Sequence, residues 1–282
     1  MSTTPETSAR APAEQTSVTI IGHSDLFYWW PVWALGYLMA FLTYLGDTYM
    51  TIVPAGTEAV KAAHVQRADG TRVEGARDVL ILLSGRELPV DETGAVEQPR
   101  LRVSRSNNLG SVFVTVLVLI ILVTNIRLTG VWSLVLILLV TLLSVVFALA
   151  GAWDFIFRML GSSDIHITAA GYLCIATPIF LIWLVVLLFY DRLTYATFSP
   201  GQFTIHFAFG AGAKSFEVLG MTLEKKQDDL FRHWVLGVGS GDLVIRTGGA
   251  NSQTYELRNV LFVNGKLALA QRMIQERQVI NR

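Results

Sequence analysis

The segment that most resembles a chemical site is FRHWVLGVGSGDLVIRTGG, with glycines at positions 237, 239 and 241. A loop that binds the phosphates of a dinucleotide needs G-x-G-x-x-G between a strand and a helix, because the helix N-terminus faces the pyrophosphate. Here the sixth position is Asp242, whose negative charge would repel that group, and the following DLVIRT is typical of a strand. The glycines therefore predict a tight bend leading into a strand, and we expect no cofactor.

The spacing of histidines and carboxylates gives no catalytic or metal motif. No two histidines are three or four positions apart, as two ligands on one helix face would be; they are His23, His64, His166, His206 and His233. Asp164 and His166 share one face of a short polar stretch, but a site there would need partners from other loops. We interpret residues 154–166 as a polar loop at a membrane interface and expect no enzymatic activity and no metal. A membrane enzyme that uses this loop is an alternative.

The elements that must position any site follow from the composition. Of the 282 residues, 52% are hydrophobic and 16% are charged, against about 25% charged in ordinary soluble domains. Four uncharged runs are long enough for a helix to cross a hydrocarbon core about 30 Å thick; they are residues 26–45, 109–125, 131–153 and 169–190. Trp29, Trp30 and Trp33 crowd the start of the first run, as side chains at a membrane–water interface do. We predict an integral membrane protein with four transmembrane helices in a lipid bilayer.

Two polar segments flank the first run. Residues 1–25 are rich in Ser, Thr, Ala, Pro and Glu, which predicts a disordered tail. Residues 46–108 carry turn signals at Asp69-Gly70 and near Gly94 and a strand candidate at 78–85, which predict a small β-rich extramembrane insertion between spans 1 and 2. The candidate binding residues Arg100, Arg102 and Arg105 could bind lipid headgroups or simply hold the second span in place.

The C-terminal segment, residues 191–282, has the pattern of a half-buried β domain. FTIHFAF, residues 203–209, alternates apolar and polar side chains as an antiparallel strand does. Ser199-Pro-Gly-Gln before it is typical of a hairpin turn. A final helix is predicted from Asn264, with one apolar stripe on its surface: Leu267, Ala270, Met273 and Ile274.

The end of the chain, DLFRHWVLGVGSGDLVIRTGG followed by YELRNVLFV and a helix, resembles the end of the bacterial PH-like (bPH2-type) domain. In that family a G-x-G turn is followed by a strand, a glycine turn, an L-x-x-V strand and a closing helix. In this chain these elements fall, in the same order, on residues 236–239, 243–247, 248–249, 257–260 and 267–280. The resemblance covers residues 194–278 and leaves out the insertion. It implies a small β-barrel closed by a helix, beside transmembrane helices, used for binding and not for catalysis.

Lipid-binding PH domains present clustered Lys and Arg in their first hairpin loop. This chain has the uncharged Ser199-Pro-Gly-Gln there, so phosphoinositide recognition is not expected. The adjacent lysines Lys225 and Lys226 are the remaining candidate binding residues, and Asp228 and Asp229 stand close enough in sequence to neutralise them. A solvated edge is the favoured interpretation of these lysines.

Together these patterns predict a non-catalytic membrane protein. Its PH-like domain would serve as a membrane-proximal docking or assembly module for a membrane-protein partner, a second copy or lipid. The alternative is an oligomeric pore or small-molecule transporter that would rely on polar residues such as Asn125 and Thr177, since the spans lack the ionisable groups that usually mark such paths.

Location and orientation complete the expectations. The formal net charge of zero gives no reason to expect nucleic acid as a partner. Four spans place both termini on one side. The positive-inside rule alone would place the insertion in the cytoplasm. The resemblance instead favours cytoplasmic termini in a bacterial inner membrane, which we adopt.

Overall fold

The computed structural model describes residues 17–66, 70–73, 75–126, 130–207, 212–227, 229, 231–237, 239–249 and 252–280. The α-helices are α1 (Trp30–Leu45), α2 (Asn108–Asn125), α3 (Val131–Leu149), α4 (Ala152–Gly161), α5 (Ala169–Val185) and α6 (Val263–Ile280). The strands are β1 (Val18–Ile21), β2 (Tyr49–Met50), β3 (Glu58–Ala63), β4 (Arg77–Ile81), β5 (Leu101–Arg102), β6 (Tyr195–Ser199), β7 (Gln202–His206), β8 (Ala213–Glu217), β9 (Thr222–Lys226), β10 (Gly241–Arg246) and β11 (Thr254–Val260). Shorter elements are the 3-10 turns Asp25–Trp29 and Asp191–Leu193 and the π-helical segments Val186–Tyr190 and Phe231–Leu236.

Four helical segments are long and apolar enough to cross a membrane, which confirms the predicted set of such helices: Asp25–Leu45, Asn108–Asn125, Val131–Leu149 and Ala169–Leu193. The third ends at Leu149 and not at residue 153, because Gly151 adopts the left-handed conformation, with φ 67°, and interrupts the helix. α4 begins directly after it. The stretch 154–166 that we expected to be a polar loop is therefore helical as far as Gly161.

The long helices pack through small and aromatic residues. α1 and α5 approach closely at Gly36, where an added Cβ would lie 2.7 Å from the Cβ of Ala176. Small residues let helix backbones come together in lipid, where packing and not the hydrophobic effect drives association. Phe113 of α2 meets the ring of Tyr172 of α5 edge-on, with centroids 5.3 Å apart.

Seven strands and α6 form a β-sheet domain around one hydrophobic core. β1, β6, β7 and β8 make a four-stranded antiparallel sheet in that order, and β11, β10 and β9 make a three-stranded one. Both sheets and α6 contribute to the core, which includes Ile20, Phe198, Phe203, Ile205, Leu243, Ile245, Leu257, Val260 and Ala270. The sheets do not close into a barrel within the described residues. The mixture of membrane-type helices with α+β structure is thus confirmed, and the barrel is not shown.

β1 corrects the expectation of a disordered tail over residues 1–25. Ile20 is fully buried in the core of the domain and pairs with Ala196 of β6. The alternation of Val18 and Ile20 with polar Thr19 is that of a strand, and the short apolar stretch has a sheet edge to join. Residues 1–16 lie outside the described residues. The domain is therefore built from both ends of the chain, with all four long helices inserted between its first and second strands.

Local elements of the domain follow the sequence pattern. β6 and β7 are joined through Pro200-Gly201, and Gly201 has φ 87°, which favours glycine. The predicted C-terminal helix begins at Val263, and its stripe faces the core, with Ala270 fully buried. Residues 208 and 209 of the predicted strand 203–209 lie outside the described residues.

The insertion between α1 and α2 contains two two-stranded ribbons, β2 with β5 and β3 with β4. The predicted turn at Asp69-Gly70 lies partly outside the described residues. A second turn is held by Asp91, whose carboxylate accepts hydrogen bonds from the Thr93 hydroxyl (2.6 Å) and from the backbone N–H groups of Thr93 (2.9 Å) and Ala95 (3.0 Å). These donated bonds, the hydroxyl first, hold the pKa of Asp91 below its usual range.

Candidate functional site: a buried polar junction

The three candidate arginines lie at the insertion end of the molecule. The guanidinium of Arg102 stands over the rings of Tyr44 (4.1 Å) and Tyr49 (5.3 Å), where cation–π attraction holds β5 against the end of α1. Arg100 and Arg105 are exposed. Arg102 therefore has a packing role, and the binding role expected of the three arginines stays a prediction.

The two candidate lysines lie on β9 of the β-sheet domain. Lys225 donates a hydrogen bond to Oδ1 of Asn264 at 2.5 Å, and Lys226 stands on the same strand. Asp229, which we expected to neutralise them, pairs instead with an arginine of its own segment, and Asp228 lies outside the described residues. The structure does not bring the lysines near the arginines, because the 18-residue α2, about 27 Å long, separates the two ends of the molecule.

A buried polar cluster lies where the β-sheet domain meets the ends of the long helices. Its members come from four parts of the chain: the segment before α1, the turn after α5, Asp229 with the segment Phe231–Leu236 and the glycine turn that follows, and β11. We call this cluster the junction, and it comprises His23, Asp25, Tyr28, Asp191, Asp229, Arg232, His233, Ser240 and Asn259. Buried polar groups are tolerated when they are hydrogen-bonded to one another.

Arg232 connects the domain to the end of α2. Its Nη2 donates to the carbonyl oxygen of Thr124 at 2.8 Å, and its Nε donates to that of Val123 at 3.3 Å. These carbonyls belong to the last turn of α2, where helix carbonyls lack intrahelical partners and a positive charge is favourable. The same guanidinium pairs with Asp229 at 3.1 Å and with Asp25 at 3.5 Å. With 5% of its surface exposed, Arg232 is a buried cation with carboxylates and carbonyls around it.

Tyr28 and Asn259 connect the start of the first span to β11. The Tyr28 hydroxyl donates to Oδ1 of Asn259 at 2.7 Å and lies 3.3 Å from Oγ of Ser240. Nδ2 of Asn259 donates to the carbonyl of His23 (3.0 Å) and to the carboxylate of Asp25 (3.1 Å). Asn259 has φ 52°, a left-handed conformation that asparagine tolerates better than most residues. Tyr28 and Ser240 are fully buried.

Asp191 closes the junction on the side of the last span. Its carboxylate lies 3.1 Å from Nδ1 of His23 and accepts the backbone N–H of Ser24 at 3.1 Å. Nearby, the indole of Trp183 in α5 donates to the carbonyl of Phe27 at 3.1 Å. The chain leaving β1 is thereby held against the end of the last span.

Trp30 and Leu236 add a hydrogen bond and apolar packing between the domain and the helices. The indole of Trp30 donates to the carbonyl of Leu236 at 3.0 Å. The side chain of Leu236 belongs to the same buried cluster as Val32 of α1 and Ile120 of α2. Part of the segment Phe231–Leu236 is therefore packed among the long helices.

The glycines of the opening motif shape the junction. Gly239 has φ 81°, and β10 follows at Gly241, so the predicted bend leads into a strand. An added Cβ on Gly237 would lie 2.1 Å from Oγ of Ser240 and 3.0 Å from the ring of Tyr28. The absence of a side chain at Gly237 lets the turn close over Tyr28.

One pair in the junction has the composition of a nucleophile and its base. Oγ of Ser240 lies 3.3 Å from Nδ1 of His233. Ser240 is fully buried and His233 is 3% exposed, so a substrate has no approach to the hydroxyl in this conformation. Among the described residues, no group of three or more His, Cys, Asp or Glu side chains could hold a metal ion. The arrangement is suited to fixing two parts of the molecule to each other.

The other polar residues singled out in the sequence are used within the helical region. Nδ2 of Asn125 donates to the carbonyl of Ile121 at 2.7 Å, and the Tyr37 hydroxyl lies 3.3 Å from that of Thr177. Asp164 accepts a hydrogen bond from the side chain of Asn107 at 2.5 Å. The first contact lies within α2, the second joins α1 to α5, and the third joins the residue before α2 to the segment after α4.

Sequence reasoning did not identify Tyr28, Asp191, Arg232 or Asn259. Their signal was weak. Tyr28 and Asp191 stand where an apolar run begins or ends, as ordinary helix-end residues do, and Arg232 and Asn259 have no distinctive spacing to other polar residues. Comparisons with protein-family models, with curated proteins and with solved structures found no match for this chain.

Proposed function

We propose that this chain is a non-catalytic, four-span membrane protein whose β-sheet domain is a docking module for a protein partner in the same membrane, either another protein or a second copy. The observation that carries the proposal is the contact of Arg232 with the last carbonyls of α2. It makes the domain one unit with the spans, since a buried cation cannot leave its carboxylates and carbonyls without a large cost.

Short connections between the long helices and the β-sheet domain support the proposed docking role. A single residue, Thr194, separates the turn Asp191–Leu193 from β6, and three residues separate β1 from the turn Asp25–Trp29. A domain attached so closely has little freedom to swing. Its surface is therefore presented to neighbouring membrane proteins at high effective concentration and in one orientation.

The PH-like character of the domain is part of the proposal. β10, the turn 248–249, β11 and α6 fall where the resemblance assigns a strand, a turn, a strand and the closing helix. α6 places Ala270 in the core shared by both sheets, which supports comparing it with the closing helix of that family.

The proposed membrane orientation follows from the domain being built from both ends of the chain. β1 and β6 pair directly, so the segments before the first span and after the last lie on one face. The insertion then lies on the opposite face. We place the domain in the cytoplasm of a bacterial cell, at the inner membrane, following the resemblance.

The proposal is tested by photo-crosslinking in intact membranes. A photoreactive residue replaces Ser215, which is exposed on β8, and the control position is the fully buried Phe203. We expect a discrete product from position 215 that Arg232→Met diminishes, because the domain is then no longer held in place. Arg258→Met, which removes an exposed ion pair, is the matched control and leaves the product unchanged. A protein that gives no product from position 215 and stays monomeric in mild detergent would refute the docking role.

A further inference from the structure

The segment Phe231–Leu236 presents two large apolar side chains outward while its other described side chains are buried. Arg232, His233 and Leu236 are 5%, 3% and 8% exposed, whereas Trp234 and Val235 are 67% and 64% exposed. Adjacent exposed apolar side chains of this size usually mark a surface that meets something other than water.

The depth of this segment is set by the contacts on either side of the two side chains. Arg232, two residues before Trp234, binds the last carbonyls of α2. Leu236, directly after Val235, packs in the buried cluster of the long helices. With 18 residues, α2 is about 27 Å long, close to the thickness of a hydrocarbon core, so its last carbonyls lie at the boundary of the acyl chains. Trp234 and Val235 lie at that same boundary.

The chemistry of the two side chains fits that depth. Tryptophan is enriched at the membrane–water interface, where its ring meets acyl chains and its N–H meets headgroups. Phe189 and Tyr190, at the same end of the last span, are also exposed, at 68% and 53%. Exposed aromatic side chains therefore occur at this end of the last span as well as on the segment.

We propose that Trp234 and Val235 enter the interfacial layer of the bilayer, so that the β-sheet domain has a lipid contact of its own in addition to its covalent spans. This inference rests on the proposed membrane placement of the four helices and deepens it. The occupant of the surface is lipid, in the layer between headgroups and acyl chains. The domain is thereby fixed to the membrane at three places: the start of the first span, the end of the last, and this segment.

Leu219 provides a matched control, because it is an exposed apolar residue (73%) at the other end of the domain. Its carbonyl packs against Gly248, where an added Cβ would lie 2.2 Å from it. β10 begins at Gly241, next to the junction, and Gly248 lies seven residues further along, about 23 Å away if extended. Leu219 is therefore well separated from the junction and from the segment Phe231–Leu236.

The experiment uses the full chain in vesicles of phosphatidylethanolamine and phosphatidylglycerol. Cys174, the single cysteine, is changed to serine, and one cysteine at a time is introduced at position 234, 235, 219 or 138 and given a nitroxide spin label. The spin label collides often with oxygen when it lies in lipid and often with a water-soluble nickel complex when it lies in water, so the ratio of the two collision rates measures its exposure to lipid. Leu138 of α3, 60% exposed, reports whether the spans are in the bilayer.

We expect the oxygen-to-nickel ratio at positions 234 and 235 to exceed that at position 219 several-fold. A ratio at 234 and 235 equal to that at 219, with a lipid-like ratio at 138, overturns this inference and leaves the membrane placement intact. A water-like ratio at 138 overturns both. Circular dichroism and gel filtration of each labelled variant check its fold, and if the change at Trp234 disrupts the fold, the label at Val235 decides the question with the tryptophan in place.

Discussion

Replacing Arg232 with methionine removes the guanidinium from the junction and keeps an apolar stem of similar length. The variant loses the hydrogen bonds to the carbonyls of Val123 and Thr124 and the ion pairs with Asp229 and Asp25. The carboxylate of Asp229 then remains in a site where 10% of its side chain is exposed. The domain can relieve this burial by separating from α2.

The expected cost follows from the burial of the partners. Removing one member of a buried ion pair costs about 3–5 kcal/mol, because the other charge is left uncompensated. Most of this comes from Asp229, since Asp25 is 35% exposed and water screens its charge. At about 1.4 kcal/mol for each factor of ten, the population of molecules with a separated domain rises by about a hundred- to a few-thousand-fold.

Hydrogen–deuterium exchange measured by mass spectrometry on the protein in lipid nanodiscs detects this separation. We expect faster exchange in peptides that cover residues 22–30 and 231–240, with the core strand β10 (Gly241–Arg246) changed least. The control is Arg258→Met. Arg258 is 49% exposed and stands 3.8 Å from Glu256, so its loss costs less than about 1 kcal/mol and leaves the exchange of both peptides nearly unchanged.

A second change separates electrostatics from packing. Adding Asp229→Asn to Arg232→Met removes the uncompensated charge and should restore much of the protection, since the asparagine oxygen can still accept the backbone N–H that Asp229 accepts at 3.1 Å. The reasoning is refuted if Arg232→Met exchanges like Arg258→Met, or if the double variant is less protected than the single one.

Three further outcomes are expected. Gly36→Ala should weaken the packing of α1 on α5 and lower the resistance to unfolding by sodium dodecyl sulfate. Gly265→Ala, at a helix position with open space, should leave the free energy of unfolding unchanged or raise it by up to about 1 kcal/mol. Equal effects of the two changes would contradict the close approach at Gly36. Tyr28→Phe leaves the buried side-chain oxygen of Asn259 without its hydrogen-bond donor, so we expect the free energy of unfolding to fall by about 1–3 kcal/mol. Denaturant titrations of the purified protein measure this loss, and an unchanged midpoint would contradict it. The hydrogen bonds donated to Asp91 lower its pKa in the folded protein. The ionised carboxylate therefore stabilises its turn at pH values above the ordinary aspartate pKa of about 3.9, and this contribution is lost as the pH falls through the lower pKa of the folded protein. A carbon-13 titration that places the pKa of Asp91 at or above the ordinary value would contradict this.

The parts of the fold that are strongly periodic could be predicted from the sequence. The four apolar runs became four long helices, and the alternation around Phe203 and Ile205 became β7 with both side chains buried. The break after Leu149 was missed because Gly151 sits in a run that stays apolar on both sides, so hydropathy alone does not register the left-handed residue.

The junction could not be predicted because it depends on pairings between distant segments. β1 has four residues, and its strand pattern is visible only once β6 offers an edge to pair with. Arg232 has the same sequence environment as any surface arginine beside aspartates, and its burial arises when the end of α2 comes to lie against it. Such pairings leave no period or spacing within a single window of sequence.

β1 is the first strand of the domain and pairs with β6. The domain is therefore complete only after all the residues between these two strands have been synthesised. Ile20 emerges early from the ribosome but pairs with Ala196, so the sheet can form only after the last span has been made. Contacts so far apart in sequence form late in folding. If the four long helices cross a bilayer as proposed, failure of one helix to insert would leave β1 and β6 on opposite faces and the core incomplete. Under that proposal, the completed sheet forms only after all four helices have inserted.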